Sequence, residues 1–109
     1  MTQNEGSAKS RDLVLHLKGE YFDQIDNEEK TEEYRLYKPY WIKRLVNRSY
    51  DRILMYRGYP KKNDAIWMMA RPYRGYIIKM IKHEQFGNDP VLVFAIDVRG
   101  KRRDIPAAL

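Results

Sequence analysis

Cysteine is absent from the 109 residues. That excludes disulfides, thiolate metal sites and a cysteine nucleophile. Small secreted domains commonly lean on disulfides, so the absence favours the cytoplasm. No apolar run is long enough to span a bilayer. Met1 to Ser10 is polar, lacks the apolar centre of a signal peptide, and reads as a loose tail. The few glycines form neither a Walker loop nor a dinucleotide fingerprint, and no serine lies in a nucleophile-elbow context. The only histidines, His16 and His83, fall on different expected strands. Joined by a carboxylate such as Glu84 they would make a metal site, but no spacing supports one. No metal and no cofactor is therefore expected.

What remains is a chain of one-domain length with room for a single, shallow core. Hydrophobic residues at 43% and charged residues at 33% place it among globular rather than disordered chains. The net charge of +6 is unevenly spread. From Glu20 to Glu33 there are seven acids and one base, Lys30. From Tyr34 to Lys62 there are nine bases and one acid, Asp51, interleaved with seven aromatics: Tyr34, Tyr37, Tyr40, Trp41, Tyr50, Tyr56 and Tyr59. Bases attract phosphate and aromatic faces stack on unpaired bases, so this stretch points to RNA or a nucleotide. A solvated basic face over a tyrosine-containing core, or a surface for an acidic protein, is the plainer alternative.

Periodicity predicts about six strands and two helices. Leu13 to Leu17 alternates as a strand, and Lys18 to Asn27 follows as a short helix with Phe22 and Ile25 inward. Lys30 to Tyr37 alternates again. A regular strand there puts Lys30, Glu32, Tyr34 and Leu36 on one face and Thr31, Glu33, Arg35 and Tyr37 on the other. Pro39 suits a helix start, with Ile42, Leu45 and Val46 as the apolar stripe and Trp41 at its edge. Further strands are expected at Asp51 to Arg57, Ala65 to Arg71, Tyr76 to Phe86 and Val91 to Val98. The last is nearly continuously apolar and reads as central and covered on both faces. Tyr-Arg-Gly-Tyr occurs at Tyr56–Tyr59 and Tyr73–Tyr76, read as two strand-to-turn junctions where glycine relaxes the backbone. Helices early and strands late favour an α+β fold with a mostly antiparallel, curled sheet. The domain is expected over 11–99, followed by a basic tail at 100–109.

Lys30-Thr31-Glu32-Glu33-Tyr34-Arg35 fits a Lys-x-x-Glu-x-Arg pattern. Around it stand Leu-Lys-Gly-Glu-Tyr-Phe at Leu17–Phe22, Leu-Tyr-Lys-Pro-Tyr-Trp at Leu36–Trp41, His-Glu-Gln-Phe-Gly at His83–Gly87 and Phe-Ala-Ile-Asp-Val at Phe94–Val98. In this order the segments resemble the ASCH family, over roughly Leu13 to Val98. The resemblance implies a PUA-like, mostly antiparallel β-barrel of about six strands with two flanking helices, and a motif-lined cleft beside it. It also implies RNA binding or RNA modification. One branch deacetylates acetylcytidine, and ribonuclease activity is proposed for another. Two positions depart from the family pattern. Glu28 stands where a glycine usually opens the motif, and Glu33 stands where the deacetylating branch has its threonine nucleophile.

The candidate catalytic pair is Lys30, to hold an oxyanion or phosphate, and Glu33, to act as general base or to hold Lys30 in place. On strict alternation the two share a site only if Lys30 lies in the turn before the strand. Arg35 offers a planar fork for phosphate, or pairs with Glu33. Tyr37 and Tyr40 are candidate stacking rings, while Trp41 borders the core. Lys38, Lys43, Arg44, Arg57, Lys61 and Lys62 would guide a phosphate backbone. The expected partner is single-stranded RNA or a nucleotide, with no membrane. The alternative is a metal-independent hydrolase acting on a modified nucleoside or on RNA. The oligomeric state stays open.

Overall fold

The computed structural model describes residues 11–61 and 66–100. The chain runs β1 (Asp12–Leu17), α1 (Gly19–Asp26), β2 (Glu32–Leu36), α2 (Pro39–Leu45), β3 (Arg52–Arg57), β4 (Met68–Pro72), β5 (Tyr76–Ile81) and β6 (Val91–Asp97). Among the described residues it is an α+β fold of two α-helices and six strands. The strands form two three-stranded sheets, ordered β1-β3-β4 and β2-β6-β5. Three of the four strand pairings are antiparallel, and only β1 and β3 run parallel. Among the described residues no strand pairing closes the sheets into a barrel. The tail readings at 1–10 and beyond Gly100 lie outside the described residues. Among those described, no helix is long and apolar enough to cross a membrane.

The core follows from alternation. Leu13, Leu15 and Leu17 of β1 and Ile53 and Met55 of β3 all point inward and are buried. Phe22 and Ile25 of α1 join them, as their helical spacing predicts, with Tyr21 beside them. Strand β6 supplies Phe94 and Ile96 to the same cluster, while Val93 and Ala95 are buried on its opposite face. Its place between β2 and β5 explains the continuous apolar run. Each fully buried aliphatic side chain contributes about 1.5–3 kcal/mol.

Two expected strands end differently. The stretch from Tyr76 does not continue to Phe86: β5 stops at Ile81, and Glu84–Phe86 makes one 3₁₀ turn. The His83 side chain accepts the Gln85 N–H at 3.0 Å, and Gly87 follows with φ 95°, so the chain folds back at this point. The strand expected from Ala65 starts at Met68, and Ala65 itself lies outside the described residues. The repeated Tyr-Arg-Gly-Tyr does mark two junctions. Gly58 after β3 and Gly75 before β5 have φ 73° and 90°, where glycine carries no Cβ penalty.

The exit from α1 sets where the next segment starts. Glu28 has φ 66°, its N–H donates to the Ile25 carbonyl at 3.0 Å, and the Glu29 N–H donates to the Gln24 carbonyl at 2.8 Å. This is a Schellman turn with glutamate in the left-handed position that glycine favours. The Lys30 N–H also bonds the Gln24 carbonyl, at 3.1 Å, so the turn fixes where Lys30 begins. Glu28→Gly is expected to raise the unfolding free energy by about 0.5–1 kcal/mol in urea titrations, by relieving the left-handed strain. An unchanged or lowered midpoint would contradict that account.

Candidate functional site

Lys30 lies in the turn before β2, and this position resolves the alternation problem. Glu33 and Arg35 point to one face of β2, as expected, and pair at 2.9 Å between Arg35 Nη2 and Glu33 Oε2. Lys30, freed from strand geometry, reaches the same carboxylate from the other side, with Nζ 3.7 Å from Oε1. That distance is an ion pair without a hydrogen bond, and Glu33 Oε1 has no hydrogen-bond partner. The Lys30 ammonium stands over the ring of Tyr34 at 4.3 Å and that of Tyr21 at 5.5 Å. Arg35 Nη2 also donates to the His16 carbonyl of β1 at 2.9 Å, and its guanidinium lies 5.0 Å from the Trp41 ring.

Burial dominates the electrostatics of this cluster. The Glu33 side chain is only 2% exposed and that of Lys30 only 10%. Burial pushes the Glu33 carboxyl above its ordinary value, against the opposing pull of Arg35 and Lys30. Burial likewise pulls the Lys30 ammonium below its ordinary value, with Glu33 acting the other way. Both groups are thus moved towards their neutral forms.

On the Arg35 side opens a cleft of about 390 Å³, lined by Tyr34, Arg35, Leu36, Lys38, Tyr40, Trp41, Gln85 and Phe86. Strand β2, the start of α2 and the 3₁₀ turn converge here. Tyr40 is 57% exposed and sits edge-on to Trp41, with the Arg44 guanidinium 3.5 Å from its ring. Arg44 also donates to the Tyr40 carbonyl. Lys43, Arg44, Arg48 and Tyr50 continue the basic surface along α2 and just past it. Gln85 and Phe86 belong to a segment that carried the family resemblance, yet nothing in their spacing marked them as cleft residues.

The remaining predicted residues fall elsewhere. Tyr37 does not line this cleft; it is 37% exposed and its ring packs against Phe94 at 5.0 Å between centroids. Arg57 is committed to Asp23 through two hydrogen bonds of 3.1 Å. It reaches them across Gly19, where any Cβ would meet the guanidinium at 2.6 Å. Lys61 is exposed away from these lining residues, and Lys62 lies outside the described residues. His16 stacks on Tyr59 at 4.2 Å and bonds the Gly58 carbonyl, while His83 caps the 3₁₀ turn. Among the described residues no cluster of histidine and carboxylate side chains is arranged to hold a metal. Comparison with protein-family models, curated proteins and solved structures returns no match.

Two substitutions test the buried cluster. Glu33→Ala leaves two cations without their shared counter-charge and is expected to destabilise the fold by about 3 kcal/mol at neutral pH. Glu33→Gln removes the titration instead. A carboxyl whose folded value is raised makes the wild type lose stability as pH climbs above the ordinary 4.5, because the folded state then holds the extra proton. The wild type should therefore lose ground to Glu33→Gln as pH rises above 4.5. Urea midpoints of the two proteins compared across that range read this directly, and parallel curves would refute it.

Proposed function

We propose that the protein is an ASCH-like domain, on a PUA-like fold, that binds single-stranded RNA or a nucleotide in the cleft beside Arg35. One observation carries the reading: the cleft brings four aromatic rings, Tyr34, Tyr40, Trp41 and Phe86, together with the cations Arg35 and Lys38. Aromatic faces hold an unstacked base at about 1–3 kcal/mol per ring lost on substitution. The basic surface on and just after α2, at Lys43, Arg44 and Arg48, adjoins Tyr40 and offers the phosphates a path. Tyr40 is the stacking ring in this reading, and Arg35, fixed by Glu33 and the His16 carbonyl, is the cation at the cleft wall.

Fluorescence anisotropy with a short labelled RNA tests the reading. Wild type should bind saturably, and Tyr40→Ala should weaken binding at least about fivefold. With Lys38, Lys43, Arg44 and Arg48 engaged, log K should fall with log salt at a slope of about −2 to −3. Absence of saturable binding at low salt, or binding indifferent to salt and to Tyr40→Ala, would overturn it.

A second reading, a metal-independent hydrolase, draws on the 3.7 Å approach of Lys30 to Glu33 inside a buried site. Glu33 would take a proton from water as the water oxygen adds to the acetyl carbonyl of an acetylcytidine-type nucleoside. Lys30 would hold the oxyanion, and the proton would pass to the departing amine, giving acetate and the free nucleoside. A ribonuclease variant would use the same pair on RNA. Turnover of acetylcytidine or RNA by wild type, lost in Lys30→Met, is the expected result. Intact acetylcytidine and intact RNA after long incubation would remove this reading.

A further inference from the structure

The geometry points to a second, separate ligand site: we infer that the cleft on the Lys30 side of Glu33 binds a phosphomonoester. This cleft has a volume of about 430 Å³, within the range of small-molecule sites. Lys30, Arg71, Arg74 and Arg99 line it, against a single lining acid, Glu28. These cations come from four places in the chain: the turn before β2, strand β4, the turn before β5 and the segment after β6. The floor is apolar, from the buried Ile25 and Val98, and Thr31 adds a hydroxyl.

Three features favour a tetrahedral oxyanion over other ligands. The Arg99 guanidinium is aligned by two bonds to Asp97, at 3.0 and 2.7 Å, so its position is fixed in advance. Arg74 donates only Nε to the Arg99 carbonyl, at 3.2 Å, and forms no ion pair among the described residues. Lys30 makes an ion pair with Glu33 but no hydrogen bond in it, so its donors remain for a ligand. A carboxylate has two oxygens and is satisfied by one guanidinium fork, whereas a phosphate dianion matches several donors arriving from different directions. An apolar floor beneath the cations suits the organic body of a phosphate ester. The aromatic cleft is lined by an entirely different set of residues, so the two sites stand independently.

Isothermal titration with inorganic phosphate and with pyrophosphate, followed by anisotropy with 5′-phosphorylated and 5′-hydroxyl forms of one RNA, tests it. Wild type should bind pyrophosphate more tightly than phosphate. Arg74→Glu, at an exposed turn position, should weaken both at least about tenfold, the loss of one charge-assisted contact. Arg99→Ala should do the same, with circular dichroism verifying the fold. Lys82→Ala, exposed just past β5 and lining neither cleft, should leave pyrophosphate binding unchanged. A 5′-phosphate that tightens RNA binding in wild type but not in Arg74→Glu identifies the end of an RNA as the source. Pyrophosphate binding without that difference identifies a free phosphate ester. No binding of either anion at millimolar concentration, or binding that Arg74→Glu leaves intact, would overturn the inference.

Discussion

A carboxylate buried to 2% exposure needs partners, and the partners of Glu33 organise the structure around it. Arg35 answers from its own strand and, with the same nitrogen, takes the His16 carbonyl of β1. Since β1 and β2 belong to different sheets, this guanidinium is a hydrogen-bonded link between them. Lys30 answers from the opposite side, and reaches it only because a left-handed residue ends α1 and redirects the chain. The three charges therefore fix the exit of α1 and tie β2 to β1. They also set one cation at each of two clefts.

As a source of stability such an arrangement is poor. Removing charges from water costs more than their mutual attraction returns unless every lone pair is used, and Glu33 Oε1 lacks a hydrogen bond. An apolar set of the same volume would fit this position at lower cost. The surrounding core can bear the expense because β6, buried over Val93–Ile96, is sealed on both faces and paired on both edges. The cluster stands between two open clefts, with Lys30 at one and Arg35 at the other.

How much of this was legible depends on the range of the interactions concerned. Local pattern is a nearest-neighbour property, so β1, β3 and the inward face of α1 could be read from Leu13, Leu15, Ile53 and Phe22, and β6 from its apolar run at Val93–Ile96. The same-face relation of Glu33 and Arg35 was legible for the same reason. Lys30 was not, because its position depends on Glu28 adopting a left-handed backbone that its side chain disfavours. The end of β5 was hidden because the strand stops at Ile81, ahead of any glycine or proline, and a histidine side chain caps the 3₁₀ turn that Gly87 then closes. Arg71 is the sharpest case. An arginine between Ala70 and Pro72 looks solvent-facing in sequence, yet it is 1% exposed and donates to the Ile25 carbonyl. The Lys30-side cleft gathers cations from Lys30 to Arg99, and no local window of sequence contains them.

The linear segregation of charge, acids over Glu20–Glu33 and bases over Tyr34–Lys62, acquires a different meaning in three dimensions. Much of it cancels internally. Arg52 closes on Asp12 at 2.9 Å, and Arg57 closes on Asp23 across the glycine that opens α1. Those two bases sit in β3, beside the acids of β1 and α1, and contribute little field outward. Among the described residues the bases on and just after α2 meet no such acids. Arg44 and Arg48 donate to the backbone carbonyls of Tyr40 and Lys43, and Arg44 also covers the Tyr40 ring. A backbone carbonyl positions a guanidinium without neutralising it. Among the described residues, unpaired positive charge thus remains on and just after α2, next to the ring most exposed at the aromatic cleft, and again at Arg74 in the Lys30-side cleft. Net charge alone describes the molecule poorly; which bases are paired, as on β3, and which are not, as on α2 and at Arg74, shapes its field.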